Sequence, residues 1–309
     1  MFRPAARQGV SPSRVGVDHG RYASVLAFLL LRFPMVGDWR ERLARGDVLD
    51  EQGRPLSAHA PCRPGMLIWY WRQPPPEAPV PVDVPVLHQC DHLVVVDKPH
   101  GLPVTPGGRH VQQTVLVRLK QQLGIDTLAP MHRLDRDTAG VLAFTVRPDE
   151  RHAYQSLFRD RQVSKVYEAV APWRDDLTLP HTHRSRLQER PGEAFMQMHE
   201  VPGEPNSETR IELIQRLPTS GPTGQALAHY RLLPLTGRKH QLRAHLCALG
   251  LPIVGDRIYP ELLPDLPAGT NPHSVEPLQL LARELAFVDP VTGLARRFVS
   301  QGHLRWAQT

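Results

Sequence analysis

Residues 131–146 read MHRLDRDTAGVLAFTV, and the two halves of this stretch predict different structures. The first half is polar, with His132-Arg133-Leu134-Asp135 followed by a predicted turn at Arg136–Thr138. The second half is an apolar run after Gly140, rich in β-branched and aromatic residues, which favours a buried strand. Asp135 would therefore lie where a turn meets a strand, a place that holds a reacting group rigidly.

The residues of this stretch, taken alone, allow several interpretations. Asp135 could be an ordinary turn or capping aspartate beside surface arginines, or a reacting carboxylate with Arg133 placed to meet a phosphate or a base. Asp135 and Asp137 also form a D-x-D pair whose carboxylates could point the same way, as in a metal-dependent hydrolase. No further acidic ligands accompany that pair.

The composition favours a basic protein with an anionic partner. The chain has 309 residues, 41% of them hydrophobic, which is enough for one large and one small domain. Its net charge of +6 favours a polyanionic partner. The apolar run Val25–Leu31 is too short to cross a bilayer. We expect a cytoplasmic, monomeric protein without a membrane segment or an obligate protein partner. Three scattered cysteines, without a CxxC pair, indicate a reducing compartment and neither disulfides nor zinc: Cys62, Cys90 and Cys247.

The N-terminal region has the pattern of a small separate domain. Residues 1–20 predict a loose basic tail, and Ser24 could cap a helix that ends at Leu31. A second helix, Asp38–Arg45, carries arginines that we predict to contact RNA, although an ordinary solvated helix face has the same pattern. These arginines are Arg40, Arg42 and Arg45. A hairpin follows, with strands at Val48-Leu49 and Met66–Trp71. Prolines then mark a linker. The predicted plan is a tail and small domain (1–72), a linker (73–85) and a catalytic domain (86–309).

The centre of the chain alternates strands and helices. Asp91–Lys98 reads as a buried strand followed by a loop, where Lys98 could meet RNA phosphate or only solvent. Two helices are predicted, Thr114–Leu123 and Asp149–Arg159. The strand Ser164–Val170 would place Lys165, Tyr167 and Ala169 on one face.

Residues 172–208 are polar and rich in proline, and they predict irregular structure. Their histidines do not predict a metal site, because no carboxylate or cysteine pattern accompanies them. These histidines are His181, His183 and His199. Thr209–Arg216 and Gln225–Leu235 then read as two strands that pair antiparallel.

The last strong pattern is a helix at Lys239–Leu249, ended by Gly250 and Pro252. One side of this helix carries His240, Arg243 and Cys247, and a leucine stripe packs another side. A packed helix can aim Arg243 reproducibly, whereas the polar run alone could be surface. Residues 260–277 predict a surface loop, and residues 278–287 and 297–299 would complete the sheet.

Four motifs in this order resemble the RluA-type pseudouridine synthases. They are DHLVVVDKPHGLPVTPGG at 91–108, HRLDRDTAG at 132–140, SKVYEAV at 164–170 and LTGRKHQLRAHLCALGLPIVGDRIY at 235–259. Ala139 replaces the commoner serine, and the resemblance covers roughly residues 88–300. It implies an α+β fold with a mixed, mostly antiparallel sheet and a cleft across it. The N-terminal pattern resembles an S4-type RNA-binding domain.

The resemblance also assigns roles. Asp135 becomes the catalytic aspartate and Arg243 its ion-pair partner, while Tyr167 would stack against the target uracil. Arg133 would fill the space that a flipped base leaves, and a planar guanidinium suits that role. Lys98 and Lys165 would contact RNA.

The implied activity is the isomerisation of uridine in structured ribosomal or transfer RNA to pseudouridine. Nothing is oxidised and no group is added, so neither a cofactor nor a metal is expected. The sequence also allows two rival classes: a non-catalytic RNA-binding protein that retains the fold, and the metal-dependent hydrolase.

Overall fold

The computed structural model describes most of the chain, in eight ranges: 2–34, 36–72, 77, 80–108, 110–189, 197–221, 224–264 and 275–308. Parts of the predicted linker and loops lie outside the described residues, at 73–76, 78–79, 190–196, 222–223 and 265–274. The chain divides into two compact units. One is Met1–Pro79 with Thr105–Asp126, and the other is Val80–Val104 with Thr127–Thr309.

The first unit is a small sheet with three short helices. Its elements are β1 (Ser13–Gly16), α1 (Val25–Arg32), α2 (Trp39–Ala44), β2 (Val48–Leu49), β3 (Leu67–Tyr70) and α3 (Val115–Leu123). The strands pair antiparallel in the order β1-β3-β2. Ser24 caps α1 as predicted, because its Oγ accepts from the N–H of Ala27 at 3.2 Å.

Two predictions for this unit differ from the structure. The expected loose tail contains β1, because Val15 and Val17 bury against Trp39 in the core. The helix α3, predicted to lie in the catalytic domain, belongs to the first unit. In that unit Val117 packs with Val10, a contact between segments that no local pattern reveals.

The second unit is built on an eleven-stranded sheet. Its strands are β4 (Val86–Gln89), β5 (Leu93–Lys98), β6 (Ala129–Pro130), β7 (Ala139–Thr145), β8 (Ser164–Pro172), β9 (His181–Glu189), β10 (Met198–Val201), β11 (Ser207–Ser220), β12 (Ala226–Pro234), β13 (Leu280–Val288) and β14 (Ala295–Val299). The order is β10-β9-β11-β12-β8-β13-β7-β5-β4, with β14 on β13 and β6 on β7. The β13–β7 pair is parallel and the others are antiparallel. The mixed, mostly antiparallel sheet is therefore confirmed.

The prediction of irregular structure at 172–208 is wrong where β9 and β10 form. Strand β9, HTHRSRLQE, has few apolar residues, so its sequence shows no hydrophobic alternation. Its first half, residues 181–185, pairs with β11, and its second half, residues 186–189, pairs with β10. These backbone hydrogen bonds define the strand.

Two elements position the candidate site in this unit. Strand β7, all of whose residues are buried, continues from the HRLD turn as predicted. Two helices belong to the unit, α4 (Arg151–Arg159) and α5 (Gln241–Ala248). Leu242 and Leu246 hold α5 on the core beside Tyr230, which confirms the predicted packed stripe.

No helix in the described ranges is both long enough and apolar enough to cross a membrane.

Candidate active site

Asp135 occupies the first position of a tight turn that leads into β7. The Thr138 N–H donates to the Asp135 carbonyl at 3.2 Å, closing the turn. The Asp135 side chain is 27% exposed, so its carboxylate is accessible to a bound molecule while its backbone is anchored. This agrees with the predicted position at the junction of turn and strand.

Lys98 and His100 hold this turn by its backbone. Lys98 Nζ donates to the carbonyls of Arg136 at 2.7 Å and Pro99 at 2.9 Å. His100 Nδ1 donates to the carbonyl of Asp137 at 2.7 Å. Lys98 is only 1% exposed, and burial lowers its pKa to about 7. The prediction that Lys98 contacts RNA phosphate is wrong, because its ammonium group faces the turn instead of solvent.

The residues before Asp135 alternate between interior and solvent. His132 stacks on Phe158, and its Nε2 accepts from the N–H of Ala143 at 3.3 Å. Burial lowers the pKa of His132 to about 3, so this ring is neutral and structural. Arg133, next in the chain, is exposed and available to a ligand.

Arg243 connects Asp135 to a second carboxylate, Asp256. Its Nη1 lies 3.5 Å from Asp135 Oδ2, which is the predicted pair. Its closer partner is Asp256, with Nε to Oδ2 at 2.8 Å and Nη2 to Oδ1 at 2.6 Å. Asp256 Oδ1 also accepts from the N–H groups of Ile258 and Tyr259. This bidentate anchor fixes the guanidinium plane, so that Nη1 is aimed at Asp135.

Sequence reasoning did not single out Asp256. The available signal was the Gly255-Asp256 pair within the quoted GDRIY run, because that run resembles the family. The side chain of Asp256 is 1% exposed, and a carboxylate so buried requires a cation.

Sequence reasoning also missed His240. Its Nε2 lies 3.8 Å from Asp135 Oδ1, on the other side of the carboxylate from Arg243. Its Nδ1 lies 3.5 Å from the Tyr259 hydroxyl. The sequence placed His240 on one side of the helix with Arg243, but it could not show that the two side chains address the same carboxylate.

Tyr167 and Lys165 lie on β8, as predicted. Tyr167 is half-buried beside the core of the second unit. Burial, and then the charge of Asp135, raise the pKa of Tyr167 well above its usual value, so the phenol stays protonated at neutral pH. Lys165 Nζ donates to the carbonyl of Thr236 at 2.9 Å, and burial lowers its pKa to about 8.

The three N-terminal arginines differ in accessibility. Arg40 and Arg45 are exposed. Arg42 is only 5% exposed, and it donates to Asp38 at 2.7 Å and to the carbonyl of Trp71 at 3.0 Å. The prediction that Arg42 contacts RNA is therefore wrong, because its guanidinium is part of the core of the first unit.

One group of three side chains in the described residues has the types that bind metals. His183, Glu200 and His245 have ligand atoms within 4.8 Å of one another. Glu200 Oε1 lies 2.6 Å from His183 Nε2, so the premise that no carboxylate accompanies the histidines is wrong. However, His245 Nδ1 lies 3.0 Å from Thr209 Oγ1, and its Nε2 lies 2.9 Å from Ser207 Oγ. A cation would have to displace these contacts. The group is thus explained as a hydrogen-bonded cluster, and the absence of a metal stays a prediction.

Known proteins are similar to this chain in both sequence and fold. The chain matches the family model described as RNA pseudouridylate synthase over residues 92–248. The dual-specificity RNA pseudouridine synthase RluA of Haemophilus influenzae is 30% identical over 69% of this chain and 90% of its own length. The ribosomal large subunit pseudouridine synthase D of Xylella fastidiosa is 28% identical over 96% of this chain and 88% of its own length. The solved structure of human RNA pseudouridylate synthase domain containing 4 superposes with a TM-score of 0.52 at 29% identity, covering 72% of this chain and 90% of that one.

Proposed function

This chain belongs to the RNA pseudouridylate synthase family, and we propose that Asp135 is the carboxylate with which it isomerises uridine in RNA to pseudouridine. The observation that carries the proposal is the geometry around Asp135. Its carboxylate is partly exposed, and its two oxygens face the buried side chains of His240 and Arg243. Its carbonyl accepts from the Thr138 N–H within the turn. A reactive group needs this combination of access and rigidity.

The isomerisation breaks the bond between C1′ and N1 of the uridine, rotates the uracil, and joins C5 to C1′. The proton on C5 is lost and N1 gains one, so atoms and charge balance without an external group. A carboxylate stabilises or captures the electron-poor centre that forms when the glycosidic bond breaks. Asp135 supplies that carboxylate in this proposal.

Tyr167 supports the proposal as a neutral aromatic surface near Asp135. The raised pKa keeps the phenol protonated, so it suits stacking on a base and donating a hydrogen bond better than accepting a proton directly. If Tyr167 removes the C5 proton of the base, its phenol must at the same time pass its own proton to another group.

Arg133 is proposed to enter the RNA when the target nucleotide leaves the helix. Its side chain is exposed two residues before Asp135, while the neighbouring His132 stacks on Phe158 and accepts from the N–H of Ala143. A uracil within a stem is inaccessible to Asp135 unless the nucleotide is flipped out. A guanidinium can stack in the vacated space and pair with phosphate at the same time.

The RNA class is proposed to be ribosomal or transfer RNA. The relative that spans nearly the whole chain is named a ribosomal large subunit synthase, and another is named dual-specificity. The cytoplasmic location and the monomeric state stay predictions.

The deciding experiment replaces Asp135 with Asn in the full-length protein. We expect turnover on an RNA containing a target uridine to fall by at least about a thousandfold. RNA affinity should stay within about tenfold, because phosphate contacts supply most of the binding. Pseudouridine formation and RNA affinity are both measured.

The matched control is Asp137→Asn, two residues away in the same turn. The Asp137 carboxylate accepts from the neighbouring Arg136 at 2.9 Å, whereas Arg243 and Lys98 act on it through their charge. The control should keep most of the activity. Appreciable turnover by the Asp135 variant would show that the assignment is wrong.

The same pair of variants tests the metal-dependent hydrolase. That reaction would need both carboxylates of the D-x-D pair, so both variants would be inactive, and excess chelator would abolish wild-type activity. In the described residues, neither Asp135 nor Asp137 belongs to a group of three metal-type side chains.

A further inference from the structure

The backbone of His240 adopts a conformation that side chains rarely accept. Its φ is +53° and its ψ is +17°, in the left-handed region, immediately before α5 begins. Glycine adopts this region without strain. Asparagine and histidine occur there more often than other side chains, but histidine there still carries a conformational cost on the order of 1 kcal/mol. Such strain persists only where surrounding contacts hold the residue, and it is concentrated at functional sites.

The strained backbone directs the ring at Asp135. The side chain of His240 is 10% exposed, and Nε2 lies 3.8 Å from Asp135 Oδ1. Arg243, one helical turn later, addresses the other oxygen, Oδ2, at 3.5 Å. The two oxygens of one carboxylate are therefore faced by two side chains from the start of one helix.

The neighbours of His240 favour one tautomer. A carboxylate can only accept, so the proton of a neutral ring belongs on Nε2, facing Asp135. The other nitrogen, Nδ1, then carries a lone pair 3.5 Å from the Tyr259 hydroxyl. The remaining charged groups around the ring are Arg243, Lys239, Asp256 and Glu189. A neutral ring with its proton on Nε2 can therefore direct an N–H group at Asp135 without becoming positively charged.

We propose that His240 is a positioning residue, which with Arg243 holds the carboxylate of Asp135 in one orientation. The inference rests on the proposed role of Asp135. Both contacts are longer than good hydrogen bonds in the free protein. Contacts in an active site often tighten only when the substrate binds, so we expect both to shorten in the RNA complex.

Three substitutions separate the backbone role of His240 from its contact with Asp135. Glycine accepts the positive φ but has no side chain. Asparagine also accepts it, but its amide is too short to reach Asp135. Glutamine carries its amide nitrogen near the position of Nε2, but strains the backbone as histidine does.

The expected orders of stability and activity are opposite. His240→Gly and His240→Asn should be destabilised less than His240→Gln, because the first two relieve the backbone strain that glutamine keeps. Their kcat should fall about 10- to 100-fold, because a misplaced reacting group costs rate. KM for the RNA should change little. His240→Gln should be the least stable variant, yet it should keep the highest kcat of the three.

Imidazole provides a further readout. Added to His240→Gly, it should restore part of the lost kcat by occupying the space of the ring, and it should not stimulate His240→Asn.

If kcat instead follows stability across the three variants, or if His240→Gly has wild-type kcat, the proposed positioning role is overturned. The Asp135→Asn variant distinguishes a wrong role for His240 from a wrong role for Asp135. Failure of this inference alone leaves Asp135→Asn inactive, whereas failure of the proposed function leaves it active.

Discussion

Lys98 carries an ammonium group inside the protein, with two backbone carbonyls as its acceptors. Its function in the structure is to fix the Arg136 carbonyl, and with it the turn that presents Asp135. Burying the protonated amine of Lys98 away from water costs free energy. This cost depends on pH, because the protonated fraction of the amine does.

Replacing Lys98 with Met should change how stability depends on pH. Burial lowers the folded-state pKa of Lys98 from 10.5 to about 7. Between those values the unfolded chain binds more protons, so the free energy of unfolding rises with pH, by at most about 1.4 kcal/mol per pH unit. In Lys98→Met, the free energy of unfolding should rise less steeply with pH, because the contribution of Lys98 is absent. Urea unfolding of both proteins at about pH 7 and about pH 9.5 measures it.

The control for Lys98 is Lys239→Met. The Lys239 side chain is 42% exposed and pairs with Glu189 at the surface. Its removal should leave the wild-type slope unchanged. Equal slopes for wild type and Lys98→Met would contradict the buried-charge account.

Among the elements, strand β7 depends on Gly140. Its φ is +110°, and a Cβ at this position would lie 2.2 Å from the carbonyl oxygen of Ala282. Ala282 is its register partner on β13, in the parallel pair of the sheet. The close backbone approach at this point requires glycine.

We expect Gly140→Ala to destabilise the protein by on the order of 3–5 kcal/mol, because the clash is with the backbone and the strand must shift. Activity should fall with it, since β7 continues from the turn that contains Asp135. Denaturant unfolding and turnover are the measurements.

Gly124→Ala is the control, because Gly124 also has a positive φ but an added Cβ there would not clash with any atom. Gly124 ends α3 with φ at +68°, and nothing lies within 4 Å of the added Cβ. It should cost about 1 kcal/mol. If the two variants lose similar stability, the backbone around Ala282 shifts at little cost, and the predicted effect of the clash is wrong.

At the scale of the whole molecule, the N-terminal arginines bear on RNA binding. A deletion of residues 1–85 is a poor test, because it removes the residues on which α3 packs. Val10 packs with Val117, and Ser11 accepts from Lys120 Nζ at 2.9 Å. The S4-like role of the first unit is better tested in the full-length protein.

We predict that replacing both Arg40 and Arg45 with Ala weakens RNA binding and makes its salt dependence shallower. Each lost phosphate contact should reduce the slope of log affinity against log salt by about 0.7–0.9. Turnover at saturating RNA should persist. Glu41→Gln on the same helix is the control, since it removes an exposed negative charge and should not weaken binding. If the slope of log affinity against log salt is unchanged in the arginine variant, the S4-like interpretation is wrong.

The sequence by itself determined the features that depend on neighbouring residues. The HRLD turn, the buried β7 run and the capped helix α3 follow from local chemistry. In α3, Thr114 accepts at one end and left-handed Gly124 stops the other. The ordered motifs also identified Asp135, Tyr167 and Arg243 as candidates before their positions were known.

Only the tertiary structure decided which polar groups are buried and what they contact. Lys98 and Arg42 have the sequence context of surface cations, yet distant carbonyls accept from both. Strand β9 has no apolar alternation, so only its two partner strands define it. His240 and Asp256 acquire their roles from side chains brought together by folding. Burial and partner identity are properties of segments far apart in the chain, and for that reason local pattern could not contain them.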